Sequence, residues 1–101
     1  MKFGAVLPIW QLTIAEAEAL TVAAERLGLD GVFVPDHILA KPATTEHYGP
    51  HWPDPFSLLA YLAGRTTTIQ LGASVIVLPY RNALVAAKAA ATDQASKGRF
   101  I

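Results

Sequence analysis

The chain has 101 residues, near the size of one domain, and eight basic residues balance eight acidic ones. No basic patch is present, which excludes nucleic acid or an anionic membrane as the main partner. The absence of cysteine excludes disulfide and thiolate chemistry and fits a cytoplasmic protein.

With 52% hydrophobic residues, the chain can bury apolar surface on both faces of a sheet. Residues 2–7 form a short apolar run closed by Pro8. It reads as a first strand, being too short for a signal peptide, and no segment approaches the ~20 apolar residues of a membrane span. Thr13 and Glu16 form a capping box, so a helix is predicted from Ile14 to Leu27, with Gly28 suited to the position after its end. Residues 31–34 are a second apolar run, ended by Pro35, Asp36 and His37.

Residues 38–53 hold three prolines, Gly49, His47, His51, Tyr48 and Trp52 without any period, and are predicted to be a long loop. Asp54 and Pro55 read as N-cap and first residue of a helix over 55–65. A third strand is predicted over 69–77, and Asn82 caps a third helix over 83–96. Residues 98–101 read as the start of a fourth strand.

Strands and helices alternate, which predicts a parallel α/β sheet with right-handed crossovers. The turn after the first strand, from Pro8 to Leu12, lacks a glycine-rich phosphate fingerprint, so a dinucleotide-binding domain is disfavoured. The better fit is a partial (β/α)8 barrel: the first three βα units plus the start of the fourth strand. Because a whole barrel needs roughly 250 residues, residues 1–101 are expected to be the N-terminal part of one such domain. Taken alone, they are expected to lack the phosphate-binding loops after strands seven and eight, and to bind no cofactor tightly.

Four motifs occur in this order: 33–37 (FVPDH), 52–56 (WPDPF), 71–82 (LGASVIVLPYRN) and 96–100 (SKGRF). Together they resemble the N-terminal part of the luciferase-like monooxygenase superfamily, and the second and third look most like its coenzyme F420-dependent oxidoreductase branch. Ala83 stands where that family often has Pro, and Thr92 where it usually has Leu. The resemblance implies hydride transfer between a deazaflavin and a small organic substrate. FMN-dependent monooxygenation is the alternative, and a non-catalytic truncated chain is a third reading. A homo-oligomer is expected at full length.

His37, at the end of the second strand, is the side chain able to give or take a proton near neutral pH. It reads as the catalytic acid/base or as a structural donor holding the loop. Asp36 reads as a cofactor-side residue or as a turn residue bonded to its own backbone. The resemblance implies a non-proline cis peptide between Ser74 and Val75, with the cofactor ring packed against it. Arg81 reads as a contact to an anionic cofactor tail or as the partner of a local carboxylate. Trp52 walls the pocket or anchors the loop, and Trp10 packs. No cluster has metal-ligand spacing, so no metal site is expected.

Overall fold

The computed structural model describes residues 1–37, 41–91 and 96–101. Predicted positions at 38–40 and 92–95, including Thr92 and the end of the third predicted helix, lie outside the described residues. The elements are β1 (Gly4–Val6), α1 (Ile14–Arg26), β2 (Gly31–Val34), α2 (Pro42–Tyr48), α3 (Pro55–Arg65), β3 (Gln70–Ala73) and α4 (Ala83–Ala90). The strands form one parallel sheet in the order β1-β2-β3. A single parallel bridge joins Phe100 to Leu71, with Leu71 N donating to Arg99 O at 2.7 Å and Ile101 N to Leu71 O at 2.9 Å. The fourth segment therefore pairs beside β3, continuing the sequential order.

Local chemistry explains most boundaries. Thr13 Oγ1 accepts from Glu16 N, and Glu16 Oε2 accepts from Thr13 N at 2.7 Å, so the capping box is complete. Leu27 caps α1, and Gly28 follows with φ of 80°, a conformation that costs a glycine little. Asp54 caps α3 by accepting from Ser57 N, and Asn82 caps α4 by accepting from Leu84 N and Val85 N.

Three expectations need correction. The stretch read as a long loop contains α2, started by Pro42 and ended at Gly49 with φ of 81°. Seven residues are too few to show an amphipathic period, so only the start and stop signals could have revealed it. The third strand ends at Ala73 rather than at Val77. Its neighbour β2 ends at Val34 before Pro35, so there is no ladder left to pair with, and Val77 N bonds the Asp36 side chain instead. The first strand is shorter at both ends than residues 2–7: Phe3 N donates to Asp30 Oδ2 at 2.7 Å, and Leu7 lies beyond the last paired residue, Val6.

The core lies on one side of the sheet. Val32, Val34 and Leu71 are fully buried there with Leu7, against Ala17 and Ala24 of α1 and Leu58, Leu59 and Leu62 of α3. Burial of this kind stabilises by about 25 cal/mol per Å² of apolar surface. On the opposite face Phe33 lies over Gly4, Gly31 and Gly72, where an added Cβ would come within 2.8, 3.3 and 2.8 Å of the ring.

Two polar devices tie the helices to the sheet. Glu25 Oε1, in the last turns of α1, accepts from Thr67 N at 2.8 Å, Thr68 N at 2.6 Å, Thr68 Oγ1 at 3.0 Å and Ile69 N at 3.0 Å. Partial burial opposes the charge, but these bonds outweigh it and hold the carboxyl at about 2. Arg99 is buried and donates to Ser96 O, Thr66 Oγ1, Ile69 O and Ala63 O, joining the end of α3 to the fourth segment. Among the described residues no helix is long and apolar enough to cross a membrane.

Candidate active site

Asp36 and His37 stand just past the C-terminal end of β2, the end of a parallel strand where α/β proteins place their ligands. Pro35 stops the ladder and turns the chain, so the next two side chains leave the sheet in different environments. Asp36 is buried and His37 exposed. With Trp52, Pro53, Asp54, Tyr80 and Arg81 they line a cleft of about 390 Å³.

Arg81 organises one wall. Its Nη2 donates to Asp36 Oδ1 at 2.9 Å and its Nη1 to Asp54 Oδ1 at 2.7 Å. The guanidinium lies 5.3 Å from the centre of the Phe56 ring, close enough for cation–π attraction. Burial works against the Arg81 charge, and the bonds to Asp54 and Asp36 outweigh it, raising its pKa. Asp54 is likewise opposed by burial, yet donors from Ser57 and Arg81 hold its carboxyl below the usual range. Of the two readings of Arg81, the structure displays the pairing with local carboxylates.

The second oxygen of Asp36 accepts from Val77 N at 3.0 Å. That bond ties the end of β2 to the segment after β3. Ser74 N donates to Val34 O at 2.9 Å, and the Ser74–Val75 peptide is cis, as the resemblance implies. Ser74 and Val75 are exposed and do not line the cleft of His37; they adjoin it through Asp36 and Val77.

An aromatic cluster forms the other wall. The rings of Trp10 and Trp52 are 5.3 Å apart, Trp10 and Tyr48 5.3 Å, and His37 and Trp52 4.4 Å. Trp52 Nε1 donates to Gly49 O at 3.1 Å, so Trp52 anchors the loop and lines the cleft at once. Trp10, read as a packing residue, joins β1's end to this cluster, and among the described residues its buried Nε1 has no hydrogen-bond partner. Among the described residues no group of His, Asp and Glu could hold a metal ion.

The sequence reading missed two participants. Asp54 was legible as a helix cap, but its ion pair with Arg81 was not. Phe56 was legible as an apolar helix residue, but not as the surface beneath the guanidinium. Both lie in the WPDPF motif, and the resemblance grouped that motif with the PYRN end of the 71–82 motif, which was the available signal.

The pattern of the family described as luciferase-like monooxygenase matches residues 1–101. The chain is 40% identical over 82 residues to an F420-dependent glucose-6-phosphate dehydrogenase of Amycolatopsis mediterranei (strain U-32), covering 79% of this chain and 23% of that protein. It is 37% identical over 93 residues to a protein of the same description from Mycolicibacterium gilvum (strain PYR-GCK), covering 91% and 26%. The chain thus spans about a quarter of the length of these relatives. The crystal structure of monooxygenase RslO1 from Streptomyces bottropensis superposes with a TM-score of 0.76 and 26% identity, over 99% of this chain and 31% of that one.

Proposed function

The chain belongs to the luciferase-like monooxygenase family, and on that premise we propose that it contributes the cofactor side of an F420-dependent oxidoreductase acting on a small organic substrate. The sheet is read as the first three βα units and the start of the fourth strand of a (β/α)8 barrel. Sequential parallel order supports this, because the common doubly wound orders return the fourth or the third strand beside the first.

The observation that carries the reading is the placement of an exposed His37 against Trp52, beside Asp36, which is bonded to the backbone that follows Ser74 and Val75. The residues fit a planar ring. Ser74 is small, Ser74 and Val75 are exposed, and both follow the C-terminal end of β3. Ser74 and Val75 would face the ring, with Asp36, held by Arg81, beside them. Bound there, F420 supplies the hydride acceptor or donor. His37 would hold or deliver the accompanying proton at an imidazole nitrogen, with the edge-to-face contact of Trp52 fixing its ring. The curated relatives named as F420-dependent support this cofactor over FMN.

Titrating the intact gene product with oxidised F420 and, separately, with FMN, while following ring absorbance, tests the reading. Saturable binding of F420 with weaker FMN binding is expected. Binding of FMN alone would overturn it in favour of an oxygen-using monooxygenase.

A further inference from the structure

Resting on that functional reading, we infer that Arg81 is a positioning residue: it serves the cofactor through the backbone it holds and does not touch the cofactor. Three sequence motifs meet on this one guanidinium. Nη2 bonds Asp36 of the 33–37 motif, Nη1 bonds Asp54 of the 52–56 motif, and Arg81 itself belongs to the 71–82 motif. The far oxygen of Asp36 holds Val77 N at 3.0 Å, and the far oxygen of Asp54 holds Ser57 N and Ser57 Oγ, each at 2.9 Å. One unbroken chain of bonds therefore runs from the segment after Ser74 and Val75, through the end of β2, to the first turn of α3.

Direct contact with an anionic cofactor tail is disfavoured on two counts. Each Nη already donates one N–H to a carboxylate, at 2.9 and 2.7 Å, the guanidinium rests on Phe56, and the remaining Nε is buried. Two carboxylates around one cation also leave the cluster with a net negative charge, which repels an anion. The planar fork explains why the residue is Arg. A lysine ammonium is a point charge that cannot hold two carboxylates in this geometry while lying flat on a ring.

The test compares Arg81→Met, Arg81→Lys and the pair Asp36→Asn with Asp36→Asn/Arg81→Met in the intact gene product. Hydrogen exchange at Val77 and Ser57 is read without cofactor, and F420 affinity is read by absorbance at low and high salt. Positioning predicts faster exchange at Val77 in both single Arg81 variants. It also predicts F420 affinity about 3- to 30-fold weaker, with no rescue by Lys, an unchanged salt dependence and little added loss in the double variant over Asp36→Asn. Unchanged exchange at Val77, or restoration of affinity by Lys with a salt dependence lowered only in Arg81→Met, would overturn the inference and make Arg81 a direct ligand. Failure of the unmutated protein to bind F420 is a separate result: it strikes the functional reading, while the exchange rates alone still decide whether Arg81 holds the segment.

Discussion

Replacing Arg99 by Met should be among the most destabilising single changes in this chain. The side chain is buried and sends hydrogen bonds to Ser96 O at 2.8 Å, Thr66 Oγ1 at 2.9 Å, Ile69 O at 3.3 Å and Ala63 O at 2.7 Å. All four acceptors are neutral, so no carboxylate is left unpaired when the guanidinium goes. The loss is of charge-assisted bonds, worth about 1.5–3 kcal/mol each. Against it stands the recovered cost of burying the guanidinium, several kcal/mol. The long bond to Ile69 contributes little, and Thr66 Oγ1 keeps its own bond to Leu62 O. Ala63 O, in the last turn of α3, loses a cation at the negative end of the helix, which adds about 0.3–1 kcal/mol. The net expectation is a loss of about 3–4 kcal/mol, a large part of the roughly 5–15 kcal/mol that typically holds a domain. Arg99→Lys should lose about 2 kcal/mol, since an ammonium can reach only some of these acceptors. Urea unfolding followed by fluorescence of Trp10 and Trp52 measures both. A shift of under about 1 kcal/mol for Arg99→Met would show that desolvation cancels the bonds, and would refute this account.

Glu25, held at about 2 against an ordinary 4.5, contributes stability that is present above pH 4.5 and is lost as pH falls through the folded value. The gap corresponds to roughly 3 kcal/mol at about 1.36 kcal/mol per unit, which solvent screening reduces to about 1–2 kcal/mol. Glu25→Gln should flatten the fall in unfolding free energy between those pH values; an unaltered slope would assign it to other carboxylates. Gly72→Ala should cost about 1–3 kcal/mol by overpacking, since the new Cβ would lie 2.7 Å from Ile101 O and 2.8 Å from the Phe33 ring. Phe33→Leu should recover only part of that loss in thermal unfolding, because the carbonyl contact remains; complete recovery would locate the clash in the ring alone. His37→Ala should lower kcat by about 10²–10⁴-fold with little change in F420 affinity, and unchanged steady-state kinetics would assign His37 to structure.

Where structure depends on neighbours in sequence, the chain was readable without coordinates. Thr13 and Glu16, Asp54 and Pro55, and Asn82 are capping signals whose donors and acceptors lie within three residues, so they act before any tertiary contact forms. The alternation of apolar runs with these caps implied a parallel α/β sheet for the same reason. The short α2 escaped because Pro42 and Gly49 mark its ends without an apolar face between them. The end of β3 was misplaced because a strand ends where its partner does, and β2 stops at Val34. The site was legible as a set of motifs but not as a constellation. Asp36 and Arg81 are 45 positions apart and Asp54 and Arg81 27, and nothing local says that one guanidinium bridges both carboxylates. That pairing, like the grip of Glu25 on the turn before β3 and of Arg99 on the end of α3, exists only once the sheet has brought distant segments into register. Buried charge is stable only when its partners are already in place, so folding, not composition, decides which partners those are.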